Sequence, residues 1–548
     1  MKRRQFLKIA GVTPFVVNGH PVRAFANSRM ARILAACKDI EDRVLVLIQL
    51  KGGNDGLNTL VPIAQYDTYA KLRPVIKIPD KGPERFIRLD NTLPLADQVG
   101  LHPVMKGFKE LYDRGWLNIV QGVGYENINQ SHFKGTDLWL SGGDGTVEGS
   151  RINSGWMGRA LAAMYPEVKG MPTPEMPHPL GIQIGDPYPS LGFHTETEHQ
   201  NYINLYGQDP QGFYSLVQTV GGAPLLNVPE SEYGDELRYI MGVEASLNQY
   251  AQYITQAFKN GSNSLSSYPD YGLADQLKTV ARLIKGGCKT KIYLCSMGGF
   301  DTHGTQIPPE GVVIHGRHAT LLRILSESVK AFYDDLDGLG LADKVVSCTF
   351  SEFGRTAKEN GSAGTDHGTL APMFVFGKAL SGGIHGTNVN LSNLTSDYQL
   401  QGQQFDYRQV FTTLLQDWLG ASDYVLEQTM FQGYTKLPII SSSYVVSPDC
   451  YISVGVFDTR PEARSVHLMP NPAQYRVQVS FVSESSGEAL VSLHSLGGSL
   501  LRAHRMLVEN GLNFCHLDVA AVPDGTYFVR VENLRTGQAE VAKLHVVH

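Results

Sequence analysis

The sequence predicts a large α/β domain, with a doubly wound and mostly parallel sheet, followed by a small all-β sandwich. Three observations predict it. Apolar runs recur with amphipathic helical stretches between them from Arg43 to about Leu437. Glycine-dense turns that carry carboxylate or imidazole groups adjoin several of those runs, which is how open α/β sheets present ligand-binding residues at one edge. After Ser441 the helical pattern stops and short alternating segments replace it.

In chain order, Arg3-Arg4-Gln5-Phe6-Leu7-Lys8 is followed by a weakly apolar stretch from Ile9 to Val17 and by the small-x-small triplet Ala24-Phe25-Ala26. That order reads as an export signal over residues 1–26, and its opening resembles the twin-arginine signature R-R-x-F-L-K. The α/β domain is expected over 27–440. Its predicted strands are Val44–Leu50, Leu117–Val123, Lys291–Met297, Val345–Ser351 and Met373–Phe376. Its predicted helices are Val104–Arg114, Ser131–Leu140, Glu236–Phe258, Gly272–Ile284, Gly316–Leu336 and Phe405–Leu419. Helices before or between strands imply crossovers that cover both faces of the sheet. Insertions interrupt the pattern at Met171–Pro179 and Gly207–Pro229. Residues 441–464 read as a linker and 465–548 as the sandwich, with strands at Arg476–Phe481, Ala489–Leu493 and Tyr527–Val531.

Composition narrows the function classes. The 548 residues carry a net charge of −6 and are 42% hydrophobic, which leaves no polybasic surface for nucleic acid or membrane. No apolar run approaches the roughly 18 residues of a membrane span. The six cysteines form no C-x-x-C pair, against a cysteine zinc site. Cys295 and Cys348 lie in apolar runs and read as small buried hydrophobes. An exported chain can oxidise some pair, which spacing does not identify. The G-x-S-x-G elbow, the H-E-x-x-H helix, the Walker loop and G-x-G-x-x-G are all missing from the sequence.

Four motifs carry the chemistry: Gly52-Gly53-Asn54-Asp55-Gly56, Gly298-Gly299-Phe300-Asp301-Thr302-His303-Gly304, Ser351-Glu352-Phe353-Gly354-Arg355-Thr356 and Gly364-Thr365-Asp366-His367-Gly368. Each sets carboxylate or imidazole groups beside glycine at a strand end, so parallel neighbours bring them together. Carboxylates and imidazoles in one cluster suit divalent cations such as Zn, Mn, Mg or Ca. A cation there clamps a phosphoryl or sulfuryl oxygen and lowers the pKa of water. Arg355 offers a planar fork for a tetrahedral anion. His315 and His318 read as the exposed start of a helix.

From Arg43 to Leu437 the chain resembles domain-of-unknown-function family 1501, on G-G-N-D-G-L-N-T, N-Q-S-H-F, G-G-F-D-T-H, S-E-F-G-R-T and T-D-H-G. That family is similar to the alkaline phosphatase and sulfatase superfamily. The resemblance implies metals at the carboxyl ends of the strands, with Asp55, Asp301, His303, Glu352 and His367 as ligands. A second register makes Asp366 and His367 the paired ligands and His385 the last one. Phe353 stands where the superfamily has a histidine. Ser131, at a predicted helix N-terminus, is the candidate nucleophile, with an ordinary N-cap as the alternative. The tail resembles a type IX secretion sorting domain of type A, on Met469-Pro470-Asn471-Pro472-Ala473, Leu493-His494-Ser495-Leu496-Gly497-Gly498, Gly511-Leu512-Asn513, Pro523-Asp524-Gly525-Thr526-Tyr527 and Lys543-Leu544. It implies export and secretion machinery as partners and release to, or attachment at, the cell surface.

The function expected is therefore an exported, metal-dependent hydrolase that acts on a small anionic phosphate or sulfate ester. The alternative is a non-catalytic surface binding protein on a degenerate hydrolase scaffold.

Overall fold

The computed structural model describes residues 40–147, 149–195, 200–205, 250–308, 310–451 and most of 466–547, with Cys37 and the antiparallel pair Phe15–Val17 and His20–Val22. The twin-arginine motif, the cleavage triplet and the insertion Gly207–Pro229 lie outside the described residues, as does the linker from 452 onward.

The chain divides into two compact units, Met1–Ser453 and Val454–His548. In the first, nine strands form one sheet. They are β1 (Val44–Lys51), β2 (Leu117–Gly124), β3 (Gly181–Ile184), β4 (Tyr202–Asn204), β5 (Ile292–Gly298), β6 (Val345–Phe350), β7 (Ala371–Phe376), β8 (Gly383–His385) and β9 (Phe405–Asp406). The order is β8-β2-β7-β6-β1-β5-β3-β4, with β9 also beside β2. Pairing is parallel throughout, except that β7 runs against both β6 and β2. The reversal has a consequence for the site. The residues before β7 enter at the edge where its neighbours end, so Asp366 and His367 join the loops that follow β1, β5 and β6.

Helices cover both faces, as the sequence predicts. They are α1 (Lys106–Asp113), α2 (His132–Ser141), α3 (Trp156–Met164), α4 (Gly272–Lys285), α5 (Arg317–Gly338) and α6 (Tyr407–Thr413), whose last turn widens to π geometry over Leu414–Trp418. Alternation along β1 shows the division. Val44, Val46, Ile48 and Leu50 pack with α1, α4 and α5. Leu45 and Leu47 pack with α2, α3 and α6. A strand buried on both faces reads as a continuous apolar run, which is why β1 was visible in the sequence.

In the second unit, antiparallel strands form two sheets: His467–Met469, Arg476–Ser483 and Gly511–Asp518 in one, Leu500–Val508, Gly487–Ser495, Gly525–Asn533 and Ala539–Val546 in the other. Val477, Val479, Val491, Leu493, Val529 and Leu544 fill one core between them.

Candidate metal centre

At the carboxyl edge of the sheet, β1 runs into Gly52 and Gly53, both at positive φ. A Cβ on Gly52 would overlap the backbone of Phe300 and Asp301, and one on Gly53 would meet the Phe353 ring. Only glycine permits this close approach of three loops. The Gly52 N–H donates to Glu352 Oε1 at 2.8 Å, which fixes the β6 loop on the β1 loop.

Around that junction, imidazoles converge on one carboxylate. His132 Nε2 lies 3.4 Å from Asp301 Oδ1, His303 Nε2 3.2 Å and His367 Nε2 3.5 Å. Ligand atoms of His132, Asp301 and His367 all lie within 4.8 Å of one another, and His303 adjoins that group through Asp301. Each outer ring nitrogen is held. His132 Nδ1 bonds Glu352 Oε1 at 2.7 Å, His303 Nδ1 bonds Asp366 Oδ1 at 3.1 Å, and His367 Nδ1 donates to the Gln130 carbonyl at 2.8 Å. Carboxylates and carbonyls only accept, so the Nδ1 atoms donate to these partners and the Nε2 atoms face Asp301. The Nε2 atoms of His132 and His367 are buried and have no hydrogen-bond partner among the described residues.

A divalent cation fits this arrangement. Two buried ring nitrogens without partners are costly unless something fills the space between them. The nitrogen–oxygen separations are close to the about 3.3–3.4 Å edge of a tetrahedron whose bonds are about 2.0–2.1 Å long. Outer partners on Nδ1 are the usual support of ligating histidines. The aromatic floor is Phe353, whose ring centroid is 4.9 Å from that of His132 and 4.8 Å from that of His367.

Electrostatics divide the cluster. The hydrogen bond to Glu352 raises the pKa of His132 against the effect of burial. Burial lowers that of His367. For Asp301 burial opposes the charge, but the Arg355 hydrogen bond and charge hold the carboxyl below its usual range. Asp366 is held low by the hydrogen bond from Asn360.

The structure brings together only some of the residues expected from sequence. Asp55 is absent from the cluster. It is fully buried, pairs with Arg73 at 2.7 Å, accepts from Gln306 Nε2 at 2.6 Å and caps the short helix Gly56–Thr59. Both oxygens are thereby engaged by protein donors. Glu352 stands behind His132, where its Oε1 takes His132 Nδ1 and the Gly52 N–H. Asp366 likewise supports His303 from outside. Arg355 is buried and holds no anion fork open. Its guanidinium donates to the carbonyls of Gly53, Thr365, Gly52 and Phe300 and to Asp301 Oδ1 at 2.6 Å, which ties the loops together. Ser131 occupies the N-cap position of α2, exposed, without a side-chain capping bond. His385 sits on β8 against Asn118, away from the cluster, so the second register does not form. His318 is buried against Asn54 rather than exposed. His132 is the residue that sequence reasoning undervalued. Its signal was position: the first residue of a helix that starts beside the sheet edge.

The comparisons with known proteins agree with the motifs. Residues 277–418 match the family described as protein of unknown function (DUF1501). That span holds the second, third and fourth motifs, while Gly52–Gly56 and His132 precede it. Residues 467–546 match the secretion system C-terminal sorting domain. No curated protein matches the chain. Among solved structures, the chain is similar over 15% of its length to PorZ, a surface component of the type IX secretion system of Porphyromonas gingivalis. Identity is 17%, the TM-score is 0.12, and the chain spans 12% of that protein's length. It is also similar to an alkaline phosphatase superfamily protein from Vibrio parahaemolyticus, at 9% identity and a TM-score of 0.30, over 91% of this chain and 82% of that one. A third likeness is to the lipoteichoic acid synthase LtaP from Listeria monocytogenes, at 7% identity and a TM-score of 0.26, over 86% and 92% of the two chains. Likeness at these scores has no bearing on activity. Residues 277–418 thus carry the DUF1501 signature, and residues 467–546 mark the chain as an exported protein, secreted or held at the cell surface, that bears a secretion-system sorting domain.

Proposed function

We propose that the chain is an exported, metal-dependent hydrolase of phosphate or sulfate esters. The observation that carries the metal is the pair of partnerless, buried Nε2 atoms of His132 and His367 facing Asp301. The ester class rests on the resemblance of the motifs to the alkaline phosphatase and sulfatase superfamily. His132, His367 and Asp301 would hold the ion and leave a fourth position for water or an ester oxygen, with His303 beside Asp301. When bound, a divalent cation polarises an ester oxygen and makes water a better nucleophile at neutral pH. The chain's own residues supply the rest. Glu352, Asp366 and the Gln130 carbonyl keep the protons on Nδ1, so the rings stay in the binding tautomer. Arg355 fixes the rotamer of Asp301. Asp301, with 45% of its side chain exposed, leaves the centre open to substrate on one side.

Water is favoured over Ser131 as the attacking group. The Ser131 hydroxyl has no partner among the described residues to take its proton. A second reading, binding without catalysis, draws on Arg355, which is buried, ties the loops together and does not reach out to clamp an anion. The test is turnover of nitrophenyl phosphate and nitrophenyl sulfate by protein loaded with Zn, Mn, Mg or Ca. Hydrolysis that survives Ser131→Ala and disappears in His132→Ala supports the proposal. Bound metal with no turnover of either ester leaves the binding reading.

A further inference from the structure

One turn beyond His132, α2 forms a wall of a cavity of about 250 Å³. Thr136 lies four residues after His132, hence about 6 Å further along the same side of the helix. The facing wall is Gln49 and Lys51, at the end of β1 just before the glycine turn, with Ser296 at the end of β5. The loop after β3 closes the third side, and its Tyr188 stands at the rim with 77% of its surface exposed. Helix α2, which carries His132, and β5, whose following loop carries Asp301, therefore also wall this cavity.

Gln49 is the informative residue. It is 3% exposed, lines the cavity, and its amide nitrogen has no hydrogen-bond partner among the described residues. A buried donor without a partner costs roughly 1–3 kcal/mol and calls for an acceptor. Gln183 beside it is different. It donates to the Tyr188 carbonyl and accepts from the Ser190 N–H, both at 2.7 Å, so it fixes the loop. Lys51 pairs with Asp186, and Asp137 adds a further carboxylate. The walls thus sum to net negative charge, which disfavours an anion. The remaining lining mixes hydroxyl and amide groups with a few leucines under an exposed aromatic rim, a combination that suits a ring with polar edges and an apolar face. The volume falls just below the roughly 300–1,000 Å³ of drug-sized sites, so it admits a single ring.

We propose that this cavity binds one neutral sugar ring, with the Gln49 side-chain amide as its buried polar contact and Tyr188 covering a face. That the ring belongs to the ester presented to the centre rests on the hydrolase reading; the binding itself does not.

The experiment is titration calorimetry of the full chain, with and without chelator, against methyl glucopyranoside, galactopyranoside, mannopyranoside and N-acetylglucosaminide, with inorganic phosphate as the anionic control. At least one glycoside is expected to bind in both conditions, and Gln49→Leu and Tyr188→Ala are each expected to weaken it about tenfold, or 1.4 kcal/mol. Should the buried Gln49 variant fail to fold, the rim variant Tyr188→Ala decides alone. Absence of any glycoside binding at tens of millimolar, or binding unchanged in these variants, overturns the proposal. Failure of the metal reading shows separately, as metal-free protein that still binds the glycoside.

Discussion

Two aspartates from near-identical glycine-rich motifs end in opposite surroundings. Asp301 stands half-exposed among imidazoles, while Asp55 is sealed beside Arg73 and Gln306. The difference lies in partners that the local sequence does not show: Arg73 lies 18 residues on and Gln306 lies 251 residues on. Removing the charge of Asp55 strands the buried Arg73 guanidinium, so Asp55→Asn is expected to cost about 3–5 kcal/mol, read from the denaturant midpoint. A loss under about 1 kcal/mol would show that the pair is not an essential buried contact. At the cluster, Glu352→Gln keeps the shape but weakens the acceptor for His132 Nδ1. Metal affinity is expected to fall about 10–100-fold by competition with a chelating dye, and unchanged affinity would remove Glu352 from the outer shell. The motifs that hold the site were legible in the sequence because glycine and acidic or imidazole residues stand together at strand ends. Which of them ligate was not, since burial and long-range partners decide it.

Among the elements, three placements assemble the centre. The reversed β7 brings His367 to the edge where β5 ends, α2 starts there with His132, and the turn after β1 packs against the Phe300–Asp301 backbone. Gly52 is a tight point, at φ +120° and against the Phe300–Asp301 backbone. Gly52→Ala is expected to cost about 1–3 kcal/mol and to lower metal affinity, because the β5 loop has to move. A variant that unfolds at the wild-type midpoint with unchanged affinity would contradict the close approach. The long elements were legible in the sequence: β1, β2, β5, β6 and β7 are apolar runs buried on both faces, and α4 and α5 keep helical periodicity. The strands β3 and β4 were not. They are short, Gly181–Ile184 and Tyr202–Asn204, and follow a proline-rich insertion, so neither offers enough residues for a period to show.

For the whole molecule, export and stability meet in a disulfide between Cys37 and Cys450, which joins distant parts of the first unit across 413 positions. The remaining described cysteines are buried and free. A thiol reductant is expected to lower the unfolding free energy by roughly 2–4 kcal/mol, and the Cys450→Ser variant should show no such response. A wild-type midpoint indifferent to reductant would place the bond outside the stabilising set. Acid should act on the same unit. Burial holds His318 neutral and pushes its pKa down to about 4. The unfolded chain therefore takes up a proton near pH 6.5 that the folded chain resists, and stability falls as pH drops from about 6.5 towards 4. The depressed Asp55 carboxyl, where Arg73 and Gln306 outweigh burial, loses its contribution lower still, as pH falls below about 4. His318→Asn should flatten the upper part of that profile, and an unaltered slope would assign it to other groups.

The most direct measurement is the metal content of purified full-length protein, wild type against His132→Ala, His367→Ala and Ser131→Ala. About one equivalent of a divalent ion per chain is expected in the wild type and in Ser131→Ala, and none in either histidine variant. Metal-free wild type after growth and loading with Zn, Mn, Mg and Ca, or metal retained without both histidines, would contradict it.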